Sequence, residues 1–152
     1  MTSLLGDAGA ALVRGTGDSK QSLTVGKAQE DFGKLLFIYF SMLNCPPCRE
    51  FTPLLCELYH EMNESEKQFE VVFCSGDSTI ENYEEYLSEM PWLALPHKDP
   101  RLKNIGKTFK VKGVPRLIVL NAKNGDVIHD NAHTTIAEQG PVIIEEWISK
   151  VQ

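Results

Sequence analysis

Two cysteines three positions apart, Cys45 and Cys48, enclose Pro46 and Pro47 and follow closely on the apolar and aromatic run Leu35 to Phe40. The thiolate is the reactive form of cysteine, and the positive end of a helix dipole lowers the thiol pKa. Proline is tolerated in a first helical turn, where backbone N–H groups have no intrahelical partner, so a helix is expected to start near Cys45. Both sulfurs then sit at a helix N-terminus. Cys45 is the natural nucleophile, and Cys48, nearly one turn on, can attack a mixed disulfide formed on Cys45 and release the reduced partner. The two prolines withdraw N–H donors that would stabilise the Cys45 thiolate. The Cys48 N–H is left as the nearest helix donor, which moderates the activation.

Other uses of the pair carry less weight. A zinc site needs a second cysteine pair or histidines at ligand spacing, and Cys56 and Cys74 are isolated. A structural disulfide closing so short a loop constrains the unfolded chain little. Cys56 and Cys74 read as inert small hydrophobes, with a regulatory disulfide as the alternative. His129 and His133 straddle a strand end, a poor arrangement for a metal. No metal and no cofactor is expected. Arg49 and Glu50 are read as solvated, as is the acidic run Glu81, Glu84, Glu85 and Glu89, whereas Arg116 is a possible contact for a charged substrate.

The surrounding pattern supplies the elements that must hold the sulfurs. Leu35 to Phe40 has the unbroken apolar character of a strand buried on both faces, as in the centre of a parallel sheet. The helix after Cys45 carries Phe51, Leu54, Leu55, Leu58, Tyr59 and Met62 at helical spacing, with a kink expected at Pro53. Phe69 to Cys74 reads as the next buried strand, so the strand, helix, strand order implies a right-handed crossover. Thr79 to Met90 and Pro100 to Phe109 read as helices, and Pro91 to Pro96 as an apolar loop. Arg116 to Leu120 and Val127 to His129 form a hairpin about Asn124-Gly125, and a last helix begins near Gln139. Ahead of the central strand, a marginal helix over residues 1–9 precedes a hairpin of Ala11 to Arg14 with Ser22 to Val25. The fold class is α/β: a mixed sheet covered by helices on both faces, with the sulfurs at the carboxyl end of its central strand.

The 152 residues read as a single domain, with 1–20 as an N-terminal extension, and a 42% hydrophobic content supports an ordinary core. A net charge of −6 argues against nucleic acid and anionic membranes as partners. No segment has the length of a transmembrane helix, and the N-terminus lacks the basic start and apolar stretch of a signal peptide, so the expected location is the cytoplasm. The cysteine usage fits a reducing compartment, and nothing requires more than a monomer.

Tyr39-Phe40-Ser41, Cys45-Pro46-Pro47-Cys48-Arg49, Phe51-Thr52-Pro53, Phe69 to Cys74, Asp77, Met90-Pro91-Trp92-Leu93-Ala94 and Val114-Pro115 together resemble the tryparedoxin and nucleoredoxin group of the thioredoxin superfamily. The resemblance covers roughly residues 20–150, and the Cys-Pro-Pro-Cys with the Met-Pro-Trp-Leu-Ala segment is specific to that group. It implies a thioredoxin-like fold and a dithiol–disulfide oxidoreductase, with Cys45 attacking and Cys48 resolving. It makes Pro115 a cis-proline beside the sulfurs and gives the Val114 backbone to an extended stretch of the partner. Asn44, Pro46, Pro47 and Trp92 complete the implied substrate-binding face. The implied partners are protein disulfides, peroxiredoxins among them, with trypanothione, glutathione or thioredoxin reductase as electron donor. Two departures stand out. Asn44 replaces the tryptophan usual before the first cysteine, which leaves open a partner-binding module with little turnover. Tyr39 occupies the place of the buried aspartate of thioredoxins, so a proton acceptor for Cys48 must come from elsewhere, with Asp77 a candidate. A zinc or cluster scaffold shared by two chains is a third possibility.

Overall fold

In the computed structural model, residues 2–151 are described, side chains from Leu4. The chain begins with a short helix α1 (Thr2–Leu5), strands β1 (Ala11–Arg14) and β2 (Gln21–Thr24), and a helical turn and a half, α2 (Val25–Gln29). Thr24 caps α2 through its side chain, which accepts from the Lys27 N–H. The central strand β3 (Leu35–Ser41) leads into α3 (Pro46–Met62), and β4 (Phe69–Ser75) follows. Then come α4 (Ile80–Leu87), β5 (Leu93–Ala94) and α5 (Arg101–Thr108). The hairpin β6 (Arg116–Asn121) and β7 (Val127–His129) precedes the paired helices α6 (His133–Gln139) and α7 (Pro141–Lys150).

One sheet of seven strands runs in the order β2-β1-β5-β4-β3-β6-β7. The pairs β3–β4 and β4–β5 are parallel, and every other pair is antiparallel. This is the mixed sheet with a parallel centre expected from the sequence. The N-terminal hairpin extends that sheet, because β1 pairs with β5 through Val13 and Arg14. Two elements depart from the sequence reading. Leu93 and Ala94, expected in a loop, form a strand against Val72 and Phe73, and α6 occupies a stretch with no expected helix. Pro53 lies within α3, which remains a single element of 17 residues.

Every residue of β3 is buried, and its alternation divides the core into two layers. Leu35, Phe37 and Tyr39 face the layer built from α3, α4, α6 and α7, whereas Leu36, Ile38 and Phe40 face α1, α2 and α5. Phe37 stacks on Phe69 at 4.5 Å between ring centroids and meets Trp147 edge-on at 6.5 Å. Gly33, just before β3, has φ +76°, and a Cβ there would lie 2.7 Å from the Gln68 backbone. Only glycine fits that close entry into the sheet.

A buried carboxylate ties the amino-terminal hairpin to this frame. Glu70 accepts from the Tyr59 hydroxyl at 2.9 Å and pairs with Lys67 at 2.8 Å and Arg14 at 3.2 Å. Arg14 also donates to the Pro91 carbonyl at 2.9 Å. The pairing is what permits a charge to be buried there.

Candidate active site

At the carboxyl end of β3 the chain turns through Met42-Leu43-Asn44 and enters α3. This turn is held from below. Asp77, itself buried, accepts from the Leu43 N–H at 2.8 Å and from the Ser75 hydroxyl at 2.8 Å, while the Gly76 N–H donates to the Ser41 carbonyl at 2.9 Å. The Asp77 carboxylate is therefore engaged on both oxygens in fixing the loop that delivers Cys45. That is a positioning role, two residues before the cysteine.

Cys45 is the N-cap of α3, with Pro46 and Pro47 in the first turn. Its sulfur accepts from the Cys48 N–H at 3.4 Å, the one helix donor that the prolines leave free to reach it. The two cysteines are joined as a disulfide with Cα atoms 5.2 Å apart, inside the range such a bond spans. They differ in access. Cys48 has no exposed surface, whereas Cys45 retains 9% and is flanked by exposed Asn44, Pro46 and Pro47.

The Val114–Pro115 peptide bond is cis, and the Val114 carbonyl oxygen lies 3.8 Å from the Cys45 sulfur. Val114 and Pro115 are half-buried and stand beside the outer sulfur at the head of β6. Arg116 donates to the carbonyls of Asp130 and Phe109, bracing the loop to its neighbours.

Trp92 requires a correction. The sequence reading placed it on the substrate-binding face, but it is wholly buried, with its ring edge-on to Tyr39 at 6.3 Å and to Tyr59 at 5.6 Å. Pairing of Leu93 with Val72 draws the segment into the sheet and turns the indole into the core beneath the site. Without exposed surface it cannot touch a partner here.

A chain of hydroxyls lies beneath Cys48 that the sequence did not disclose. Tyr39, Thr52, Tyr86 and Ser41 are linked at 2.8 Å (Tyr39 to Thr52), 2.7 Å (Thr52 to Tyr86) and 2.7 Å (Ser41 to Tyr86). Tyr86 also donates to the Cys48 carbonyl at 3.4 Å. A consistent assignment sends the Tyr39 proton to Thr52, the Thr52 and Ser41 protons to Tyr86, and the Tyr86 proton to Cys48. Burial pushes the Tyr39 phenol well above its ordinary pKa, so it stays neutral. The place of the thioredoxin aspartate is thus filled by an uncharged network that anchors the first turn of α3. Thr52, one turn from Cys48 on the inward face of the helix, was the only available signal.

The remaining thiols are quiet. Burial raises the Cys56 pKa to about 11, with Glu89 adding to the effect, and raises that of the fully buried Cys74 further. Among the described residues no group of three or more His, Cys, Asp or Glu is placed to hold a metal. His133 packs edge-on to Phe51 at 5.9 Å, and His129 accompanies Trp147.

A thioredoxin-like family model matches residues 33–127. Tryparedoxin of Trypanosoma brucei brucei is 46% identical over 108 residues, 70% of this chain and 74% of that one. The chain belongs to the thioredoxin-like family, in its tryparedoxin and nucleoredoxin group. Probable nucleoredoxin 1 of Arabidopsis thaliana is 44% identical over 71% of this chain, but the match spans 18% of that longer protein. The crystal structure of native tryparedoxin I from Crithidia fasciculata superposes with a TM-score of 0.77 at 39% identity, covering 91% of this chain and 90% of the other. A tryparedoxin II complexed with glutathionylspermidine superposes with a TM-score of 0.73 at 30% identity over 90% of each chain. A cysteine pair at disulfide distance on this fold, within this group, is the equipment of thiol–disulfide exchange.

Proposed function

We propose that the protein is a dithiol–disulfide oxidoreductase that reduces disulfides of partner proteins, with Cys45 attacking and Cys48 resolving. The observation that carries the division of labour is the difference in access: Cys45, beside the Val114 carbonyl, keeps 9% of its surface exposed, and Cys48 keeps none. The Cys45 thiolate attacks one sulfur of the target disulfide, whose S–S bond breaks as the other sulfur leaves and takes a proton. A mixed disulfide results. The Cys48 thiolate then attacks the Cys45 sulfur, forming the internal disulfide and expelling the second target thiol. Two electrons have passed from the protein to its target. A low-molecular-weight dithiol, two monothiols or a thioredoxin reductase returns them.

Several finer assignments belong to this reading. Asn44, Pro46, Pro47, Val114 and Pro115 form the surface on which the partner lies, with the Val114 backbone pairing with an extended stretch of it. The donor is a thiol such as trypanothione or glutathione, a class in keeping with the tryparedoxin complexed with glutathionylspermidine. Protein disulfides of the peroxiredoxin kind are the acceptors, and the protein acts as a monomer in the cytoplasm. Among the described residues no helix is long and apolar enough to cross a membrane.

The test is insulin-disulfide reduction supplied separately with trypanothione, glutathione or thioredoxin reductase, on wild type and Cys45→Ser. Turnover that requires Cys45 and favours one donor is the expected result. Equal rates for wild type and variant with every donor would contradict the proposal and leave a binding module.

A further inference from the structure

We propose that the lysine-lined groove between α5 and the Val114–Pro115 loop docks an acidic segment of the partner polypeptide, so that the protein favours target disulfides flanked by Asp and Glu. The inference rests on the reading of Cys45 as the attacking sulfur and adds the kind of polypeptide it is offered.

Charge along the chain is sharply divided. Residues 100–125 hold seven Lys and Arg and no Asp or Glu, in a protein of net charge −6 that has 21 acidic residues elsewhere. Arg101 is committed to Asp99, and Arg116 to two backbone carbonyls. Lys103, Lys107, Lys110 and Lys112 are exposed, and none of them is in an ion pair among the described residues. They ring an open groove of about 430 Å³ whose floor includes Leu102 and Val111, both packed on the core layer beneath.

One wall of the groove, Lys110 to Lys112, runs into the loop that carries Val114. Lys112 is two residues from Val114, whose carbonyl lies 3.8 Å from the Cys45 sulfur, so its Cα is at most ~7 Å from that of Val114. A polypeptide lying along Val114 while its disulfide meets Cys45 therefore has residues within reach of Lys112, at the near end of the groove. Long, flexible lysines over an apolar floor suit carboxylates spread along a chain with intervening apolar side chains. A single phosphate would engage only part of a lysine set spread over residues 103–112. An extended polyanion such as nucleic acid would meet the acidic remainder of the surface beyond this short stretch. Four lysines with no ion pair among the described residues, one of them two positions before Val114, steer an acidic partner in and repel a basic one.

The experiment compares two disulfide-linked peptides, identical but for flanking residues, one with three Asp or Glu on either side of the cysteine and one with Lys. The reading is kcat/KM at low and high salt, for wild type and for the Lys103→Glu, Lys107→Glu double variant, with Lys112→Glu as a second, independent variant. Wild type is expected to prefer the acidic peptide about tenfold at low salt, a preference that falls away above physiological ionic strength. The variants are expected to lose or reverse it. Equal kcat/KM for the two peptides in wild type, or a preference unaltered by both variants, overturns the inference. Reduction of the uncharged hydroxyethyl disulfide by wild type reports separately on the redox reading. If wild type reduces none of the three, that reading fails, and fluorescence anisotropy of the same peptides with Ser for Cys decides the docking claim: tighter binding of the acidic peptide upholds it, and equal binding overturns it.

Discussion

Thr52 holds a place that a sequence reading assigns to the buried face of a helix and passes over. Its hydroxyl is the junction between Tyr39 and Tyr86, and through Tyr86 the network reaches the Cys48 carbonyl. Replacing Thr52 with Val keeps the shape and strands two buried phenols with one partner fewer each. The expected cost is about 1–3 kcal/mol of stability, read as a lowered urea midpoint with unchanged m, and Thr52→Ser is expected to recover most of it. The two cysteines were legible as chemistry because their spacing, the prolines and the preceding apolar run all specify one arrangement. The hydroxyl chain was not, because tyrosine within an apolar pattern reads as packing, and no local signal reports where its oxygen points. Trp92 differs in the other direction: its local pattern fits core or rim alike, the resemblance set it on the substrate-binding face, and strand pairing of its neighbour buries it.

At the scale of elements, one guanidinium ties α5 to the amino-terminal segment, beside the core packing of Ile105. Arg101 pairs with Asp99 at 2.8 Å and donates to the Leu5 and Ala11 carbonyls, pinning the helix to α1 and β1. The hydrogen bond from Arg101 holds the Asp99 carboxyl below the usual carboxylate range, against a smaller opposing effect of burial. A depressed folded-state pKa stabilises the fold at pH above the unfolded value of about 3.9, and the contribution is lost as pH falls through the lower folded value. Asp99→Asn is therefore expected to lose at most about 1 kcal/mol at neutral pH and progressively less as the pH falls below the unfolded value, checked by denaturant unfolding across that range. The long, strongly patterned elements β3, α3 and β4 were readable, and so was the Asn124-Gly125 hairpin, in which Gly125 takes φ +80°. The two-residue β5 carries no periodicity of its own and exists because β1 and β4 flank it. The helix α6 begins His133-Thr134-Thr135, poor helix formers with one buried apolar residue, Ile136, and its formation depends on packing beside α3 and α7 rather than on propensity.

For the molecule as a whole, β3 joins two cores and delivers the sulfurs to the edge where they meet the Val114 loop. A defect at its middle should be felt globally. Phe37, stacked on Phe69 and fully buried, is the position to test: Phe37→Ala is expected to cost about 3–5 kcal/mol, a large part of the stability of a domain this size, read as a fall in Tm. The central claim concerns the outer sulfur alone, and the most direct measurement isolates it. Reduced Cys48→Ser protein is mixed with a disulfide-bonded peptide, and the product is digested without reductant and mapped by mass spectrometry. A single adduct on Cys45 that accumulates because nothing resolves it is the predicted result. An adduct on Cys56 or Cys74, or none at all while wild type turns the same peptide over, would contradict the account.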